Sequence, residues 1–429
     1  MPLLGHQIIS ERDLLRVHAK HAASLDASDT GTGKTYVAAQ MAHDMGLAPL
    51  IICPKIVVSN WRRVCKELGV EPLDVLNPEK LKTGKTRWLK KHSAKKFEWH
   101  IPDRDKAIVF FDEAHGYGAP DSQNAYIMAY TKSYGVKVHM MSATLAENPL
   151  RLRAPGYLLD LHNFHDFRQW SFRHGCYRNP WNGIEFGKGP KAQQALKDIH
   201  EHLFPEYGVR VTVAGLVDFP ATLIQPDAYD MDDIDEVNAA YEEAATPTDD
   251  GTPPNALVAL LRARQKTEML KCHLVFELAQ EQLEEGHSVV VFVNFRETLA
   301  TLKQLFLGAG VACSEILGGQ TQNERDDAID AFQTNKRPVC LTMIQAGGVG
   351  ISLHDLYGRP RTSIILPPLT ARELKQALGR THRAGSLSPA LQKIVFAAGT
   401  VEEDVCDMVR RKLNNLDLLN DGDLSGGIL

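Results

Sequence analysis

Apolar residues in this chain gather into short, nearly unbroken runs, each closed by a polar turn and followed by a stretch with helical spacing. The runs are "APLIICP", "KAIVFFDEAH", "VKVHMMSAT", "HSVVVFVN", "RPVCLTMI" and "RTSIILPP". Buried strands that alternate with amphipathic helices predict an α/β fold with parallel sheets. The runs form two groups, separated by the stretch from about Leu150 to Leu283. Within that stretch "DFPATLIQPDAYDMDDIDEV" is acidic and "ATPTDDGTPPN" is rich in turn residues. A boundary near residue 215 and an exposed loop near residue 250 are expected, giving two domains, 1–215 and 216–429.

Length and composition agree: 429 residues exceed one ordinary core, and 44% hydrophobic with 24% charged residues suits a globular chain. No apolar run approaches the ~18 residues of a membrane span. The start "MPLLGHQIISERD" has neither a charged n-region nor an h-region, so a cytoplasmic protein without a membrane partner is expected. The seven cysteines are odd in number, widely spaced and without a CxxC pair. That excludes a disulfide framework and a zinc site as expectations and leaves reduced core thiols. With 48 Lys plus Arg against 53 Asp plus Glu, the net charge of −5 argues against a general polyanion binder. Contact with nucleic acid would have to be local.

The stretch "SDTGTGKTYVAAQM" changes the picture. It fits the phosphate-cradle pattern GxxxxGK[ST], with Ser28 at the first glycine position and Gly33, Lys34 and Thr35 matching the rest. Around Thr30, Gly31, Thr32 and Gly33 the backbone can curl its N–H groups toward phosphate, with the N-terminus of the following helix adding partial positive charge. Val37, Ala38, Met41, Ala42 and Met45 mark one face of that helix, and Gly46 sits where it should end. Lys34 would reach the β- and γ-phosphates and Thr35 would hold Mg²⁺. A plain Gly-rich turn is the alternative. Against it stands "AIVFFDEAH", which delivers Asp112 and Glu113 at the carboxyl end of a strand, where open α/β sheets bind ligands. Asp112 would bind Mg²⁺ through water and Glu113 would polarise the attacking water.

With these residues in place the chain resembles the superfamily-two helicases and translocases, most closely their Swi/Snf-like branch. Asp112-Glu113-Ala114-His115 is a DEAH box. "LLGHQ" resembles the adenine-reading Q motif through Gln7, and "LIICPKIVVSNWRRV" resembles motif Ia, implying backbone contacts to nucleic acid at Pro54, Lys55 and Ser59. "SAT" is similar to motif III, so Ser142 and Thr144, with His115, would couple the nucleotide site to nucleic acid. "VVVFVNFRETLATLKQLF" resembles motif IV, implying contacts at Asn294 and Phe295. "QAGGVGISL" resembles motif V, implying nucleic-acid contact at Gly347 and Gly348 and nucleotide contact at Gly350. Gln345 stands there where the branch commonly carries arginine. "QALGRTHRAG" resembles motif VI. "ENPLRLRAPGYLLDL" and "GTVEEDVCDMVRRKL" resemble segments of compact phage-encoded members, which would place the protein in a host bacterial cytoplasm.

Motif VI can also be read physically. Thr370 and Glu373 form a capping box, so a helix should start there and Gly385 should end it. Gln376, Arg380 and Arg383 then fall at i, i+4 and i+7 on one face. A solvated basic stripe is the bland reading. Beside a phosphate loop and an acidic pair, guanidinium forks that offset charge on the γ-phosphate are the sharper one. The resemblance thus implies two RecA-like lobes with ATP between them.

Eight Lys or Arg lie between Lys80 and Lys96, with Trp88, Phe97 and Trp99 interleaved. Lys85, Arg87, Lys90 and Lys91 are candidate phosphate contacts, against a merely solvated face. The pairs His162/His165 and His200/His202 lack partners at metal-ligand spacing. The resulting expectation is an ATP-dependent, monomeric DNA motor using ATP and Mg²⁺ on single-stranded, duplex or forked DNA, with replication or recombination proteins as partners. A duplex-tracking translocase that displaces proteins without unwinding, an RNA helicase and an inactive scaffold are the alternatives.

Overall fold

A strand that is apolar at every position must be covered on both faces, and the first half of the chain is built to do so. The computed structural model describes residues 3–213, 216, 222–229, 235–236, 239, 242, 256–347, 351–383, 385–398 and 400–421. By contacts the chain divides into a first unit, Met1–Leu216 with Leu413–Gly427, and a second built on Val217–Lys412.

In the first unit the strands are β1 (Ala23–Asp26), β2 (Ala48–Ile52), β3 (Asp74–Leu76), a hairpin of β4 (Leu89–Ser93) and β5 (Lys96–Trp99), β6 (Ala107–Asp112), β7 (Lys137–Met141), a second hairpin of β8 (Cys176–Arg178) and β9 (Ile184–Phe186), and β10 (Gly208–Val209). Outside the hairpins they form one sheet in the order β10-β1-β7-β6-β2-β3, every neighbouring pair parallel. Alternate side chains enter opposite cores, as a period of two requires. Val109 and Phe111 of β6 join Leu50 and Ile52 of β2 on one face, while Ile108 and Phe110 join Ile51 on the other.

The second unit repeats the plan with β11 (Thr222–Tyr229), β12 (Ser288–Val293), β13 (Cys313–Ile316), β14 (Val339–Met343), β15 (Arg361–Ile365) and β16 (Ala390–Ala397), ordered β11-β16-β15-β12-β14-β13 and again all parallel. Each unit is therefore a parallel sheet flanked by helices, the RecA-like lobe expected from the sequence. All six quoted apolar runs are strands: β2, β6, β7, β12, β14 and β15.

Two local expectations differ in detail, and a third falls on residues that are not described. The acidic stretch read as boundary contains β11, whose Pro226 cannot donate a ladder hydrogen bond and which accordingly sits at the sheet edge. The turn-rich segment 245–255 lies outside the described residues. The motif VI helix, Ala371–Thr381, starts as expected, with Thr370 Oγ1 accepting from the Glu373 N–H at 3.2 Å, but it ends before Gly385. Arg383 is thus beyond the helix rather than on its face. Among the described residues no helix is long and apolar enough to cross a membrane.

Candidate functional site

Strand order alone brings the candidate chemistry together. β1, β7 and β6 are neighbours, and their register pairs Asp26 with Met141 and Asp112 with Met141, so three strands end level at the carboxyl edge of the sheet. The chain leaves β1 into the phosphate loop, β7 into Ser142-Ala143-Thr144, and β6 into Glu113-Ala114-His115.

After β1 the loop runs to the helix Lys34–Asp44, whose N-cap Gly33 has φ 89°. A Cβ at Gly33 would stand 2.1 Å from Gln7 Nε2, so a side chain there would displace the end of Gln7 as well as strain the positive φ that glycine takes freely. Gln7 itself is buried and spans two backbones: its Nε2 donates to Thr32 O at 3.0 Å and its Oε1 accepts from Leu4 N at 2.9 Å. His6 Nε2 also lies 2.9 Å from Thr32 O. Gln7 therefore braces the phosphate loop with one of its two N–H groups and one lone pair of its oxygen. Gly31 has φ 93° and Thr32 Oγ1 closes a turn onto Asp29 O at 2.9 Å.

Lys34 Nζ donates to Ser28 O at 2.7 Å and to Asp29 O at 2.9 Å, within its own loop. Burial lowers its pKa, opposed by the charges of Asp26, Glu113, Asp29 and Asp112. Asp26, the last residue of β1, is 1% exposed; its Oδ1 accepts from Ser28 N at 2.9 Å and burial raises its pKa. The sequence pattern does not single it out, because a lone aspartate in a four-residue run carries no periodicity.

Asp112 is held by two donors: Trp61 Nε1 at 2.8 Å on Oδ2, and the Glu113 N–H at 3.0 Å on Oδ1. Burial first, then the adjacent Glu113 charge, push its pKa up to about 6, against the pull of Trp61 and Lys34. Glu113 takes a left-handed backbone, φ 54°, which is strained for a side chain of its kind. Its Oε2 lies 3.1 Å from His115 Nδ1, which is also 3.1 Å from Ser142 Oγ; Ser142 Oγ in turn accepts from Thr144 N at 3.3 Å. His115, Ser142 and Thr144 thus form a continuous polar path from the acidic pair into the segment after β7. Two carboxylates crowded beside one lysine fit a divalent cation, and Thr35 lies in the first turn of the helix after the loop.

The remaining candidates lie on both units. Lys55 and Ser59 are exposed, on the short helices after β2, with Pro54 half-buried before them. In the second unit Asn294 is committed to its own fold: Glu268 accepts from its N at 2.8 Å and its Nδ2 at 2.7 Å, and from Phe295 N at 3.1 Å. Gln376 and Arg380 are buried, with Arg380 Nη1 donating to Ile351 O at 3.2 Å; Arg383 Nη1 donates to Ser352 Oγ at 2.8 Å. Gly347 ends a short helix, Ile344–Gly347, and Gly348 and Gly350 lie outside the described residues. Lys85, Arg87, Lys90 and Lys91 are exposed on and before the β4–β5 hairpin, but Trp88, Phe97 and Trp99 are core residues and no base could stack on them. Among the described residues no group of three or more His, Cys, Asp or Glu could hold a metal ion on its own. His162 and His202 instead lie within hydrogen-bond distance of the backbone carbonyls of Leu152 and Leu159.

Residues 265–385 match the helicase conserved C-terminal domain. Protein L364 of Acanthamoeba polyphaga mimivirus, named as an ATP-dependent RNA helicase, is 33% identical over 96% of this chain and 83% of its own length. A SWI/SNF-related regulator of chromatin, subfamily A-like protein 1, from Drosophila melanogaster is 22% identical over 90% of this chain; the chain spans about half, 52%, of that relative. Among solved structures, Saccharomyces cerevisiae Dbp5 bound to RNA and ADP BeF3 superposes with a TM-score of 0.53 at 14% identity, covering 95% of this chain and 87% of Dbp5. That likeness is one of fold.

Proposed function

The chain belongs to the superfamily-two ATP-dependent helicases, in their Swi/Snf-like branch, and from that premise we propose that it is a DNA-stimulated ATPase that moves along DNA. The observation that carries the reading is the level ending of β1, β7 and β6, which sets Lys34, Glu113 and Ser142 along one sheet edge. In this reading Lys34 leaves Ser28 and Asp29 for the β- and γ-phosphates, and Gln7 turns its remaining polar capacity to adenine. Thr35 and Asp112 would hold Mg²⁺, which would supply neutralisation of phosphate charge when bound. Glu113 orients the attacking water, and its contact with His115 passes the state of that site to Ser142. Arg380 and Arg383 offset charge on the γ-phosphate. Pro54, Lys55, Ser59, Phe295, Gly347 and Gly348 are the proposed contacts to the nucleic-acid strand, while the Asn294 amide N–H groups are taken by Glu268 and Pro367 O.

RNA as the track is a second reading, favoured by the name of the mimivirus relative. ATPase rates with single-stranded, duplex and forked DNA and with RNA separate the two. Stimulation by DNA above RNA supports the first; stimulation by RNA alone overturns it. Fork unwinding against displacement of a triplex strand then distinguishes strand separation from tracking along duplex.

A further inference from the structure

The phosphate loop has a second support that none of the motifs assigns. Asp29, the second residue of the loop, has Oδ1 on Arg210 Nη1 at 2.6 Å and Oδ2 accepting from Val213 N at 3.0 Å. The same Arg210 Nη1 donates to Ala27 O at 2.8 Å, and Ser28 Oγ accepts from Val211 N at 3.1 Å. The chain just after β10 therefore grips the backbone and side chains of 27–29, a stretch that includes the carbonyls receiving Lys34. On its other side Arg210 makes a fork to Asp421, Nε to Oδ1 at 2.6 Å and Nη2 to Oδ2 at 3.0 Å. The Arg210 side chain is only 10% exposed, and although burial works against its charge, Asp421 and Asp29 outweigh that and raise its pKa.

Asp421 ends the helix Val401–Asp421, the last turns of which belong to the first unit. Leu418 and Leu419 enter the sheet core there, and Asn420, fully buried, donates Nδ2 to Ala143 O at 3.0 Å. Ala143 is the middle residue of Ser142-Ala143-Thr144. One short segment thus holds the phosphate loop through Arg210 and the segment after β7 through Asn420. Packing alone would explain the leucines. It does not call for a buried guanidinium with a carboxylate on each side, since buried ion pairs add little stability over apolar residues of the same volume.

We propose that Arg210, Asn420 and Asp421 are positioning residues for ATP turnover: seating of this helix end sets the phosphate loop and Ala143 in their working geometry. This role rests on the ATPase reading and concerns residues outside the proposed ATP contacts. Removing Asp421 leaves Arg210 held only through Nη1 on Asp29 and Ala27 O, so the loop loses definition and nucleotide affinity falls before the chemical step does.

The test measures KM and kcat for ATP with saturating nucleic acid, binding of a fluorescent N-methylanthraniloyl ATP, and Tm, for Arg210→Gln, Asp421→Asn, Asp421→Glu and Asn420→Ala. Leu81→Ala, in the same apolar core but on the helix Pro78–Lys82, serves as the destabilised control. Arg210→Gln should weaken analogue binding and raise KM about tenfold, with a smaller change in kcat. Asp421→Asn and Asn420→Ala should act in the same direction, and Asp421→Glu should return KM to within about twofold of wild type. Leu81→Ala should lower Tm and leave KM unchanged. KM and binding that stay at wild-type values in Arg210→Gln and Asp421→Asn, or that move only as far as in a control of equal Tm, overturn the proposal. If Arg210→Gln does not fold, Asp421→Asn carries the same comparison. A wild-type protein that binds the analogue without turning it over would reject the ATPase reading while the binding series still decides this one.

Discussion

The indole N–H of Trp61 donates to Asp112 Oδ2 at 2.8 Å, so a residue of the helix after β2 holds one oxygen of the carboxylate that ends β6. Trp61 is fully buried against Phe110, with ring centroids 5.8 Å apart, and its position is therefore fixed by the core. The motif Ia segment, the proposed strand contact, and the Asp112–His115 segment, the proposed cation holder, are joined by this hydrogen bond.

Trp61→Phe keeps an aromatic ring and deletes the donor. It should lower stability by about 1–3 kcal/mol, the usual cost of losing a hydrogen bond to a charged group. Asp112 should then hold its proton to higher pH, moving the acid limb of the ATPase pH profile upward. A pH–rate profile superimposable on wild type would show that Trp61 only fills space.

The raised pKa of Asp112 has a stability consequence of definite sign. The group titrates at about 6 in the fold against 3.8 unperturbed, so the folded state binds more protons between those values. Its contribution is full below about pH 4 and lost as pH rises through about 6, by up to about 3 kcal/mol. Without nucleotide or divalent cation, the gap in stability of Asp112→Asn over wild type should therefore grow from pH 4 to pH 8, offset at every pH by one lost acceptor, since an amide cannot accept from both Trp61 Nε1 and the Glu113 N–H. Urea midpoints measured in chelator across that range check it; a gap that widens on acidification contradicts the burial argument.

Lys34→Ala should abolish ATPase activity, because no other cation of the loop reaches the phosphates. Glu113→Gln should bind ATP and hardly cleave it, since the amide cannot draw a proton from water. Turnover within a few-fold of wild type in Glu113→Gln would remove that residue from its role.

Arg380→Ala and Arg383→Ala should each remove most of the nucleic-acid-stimulated rate, an arginine finger being worth roughly 10³–10⁵ in turnover. They should differ in stability. Arg380 is 2% exposed, so its truncation leaves a cavity and a lower Tm, whereas half-buried Arg383 lies beyond the helix and should cost little. Normal stimulated turnover in either variant would assign that arginine to structure.

Burial on both faces of a strand is what made most of the fold legible in the sequence. β6 and β12 are long, nearly all apolar and bounded by polar turns, so they announce themselves. β1 is just as buried yet only four residues long, and β11 carries a proline, so neither gives a periodic signal. The same contrast holds at the site. Lys34, Asp112 and Glu113 have fixed spacing from glycine or from a strand end. Trp61 and Arg210 act instead through Asp112 and Asp421, partners 51 and 211 residues away that folding brings up to them. Contacts of that kind leave no local pattern.

The basic stretch shows how burial redistributes a sequence signal. Its three aromatic residues are core, Arg87 lies 4.2 Å over the Trp88 ring, Lys90 is paired across the hairpin with Glu98, and Lys91 Nζ donates to Gln123 at 3.2 Å. The charges remain exposed, so phosphate binding is open to them while stacking is not. Each phosphate contact releases about 0.7 counterions on single strands or about 0.9 on duplex. Replacing Lys85, Arg87, Lys90 and Lys91 together by Gln should therefore flatten the plot of log affinity against log salt by up to roughly 3 units on single strands or nearly 4 on duplex, with basal ATPase unchanged. The local partners of Arg87 and Lys91 compete with phosphate, so the loss should approach that limit only if binding displaces them. Parallel lines for wild type and the quadruple variant would show a solvated hairpin face and leave the strand to Lys55, Ser59 and the second unit.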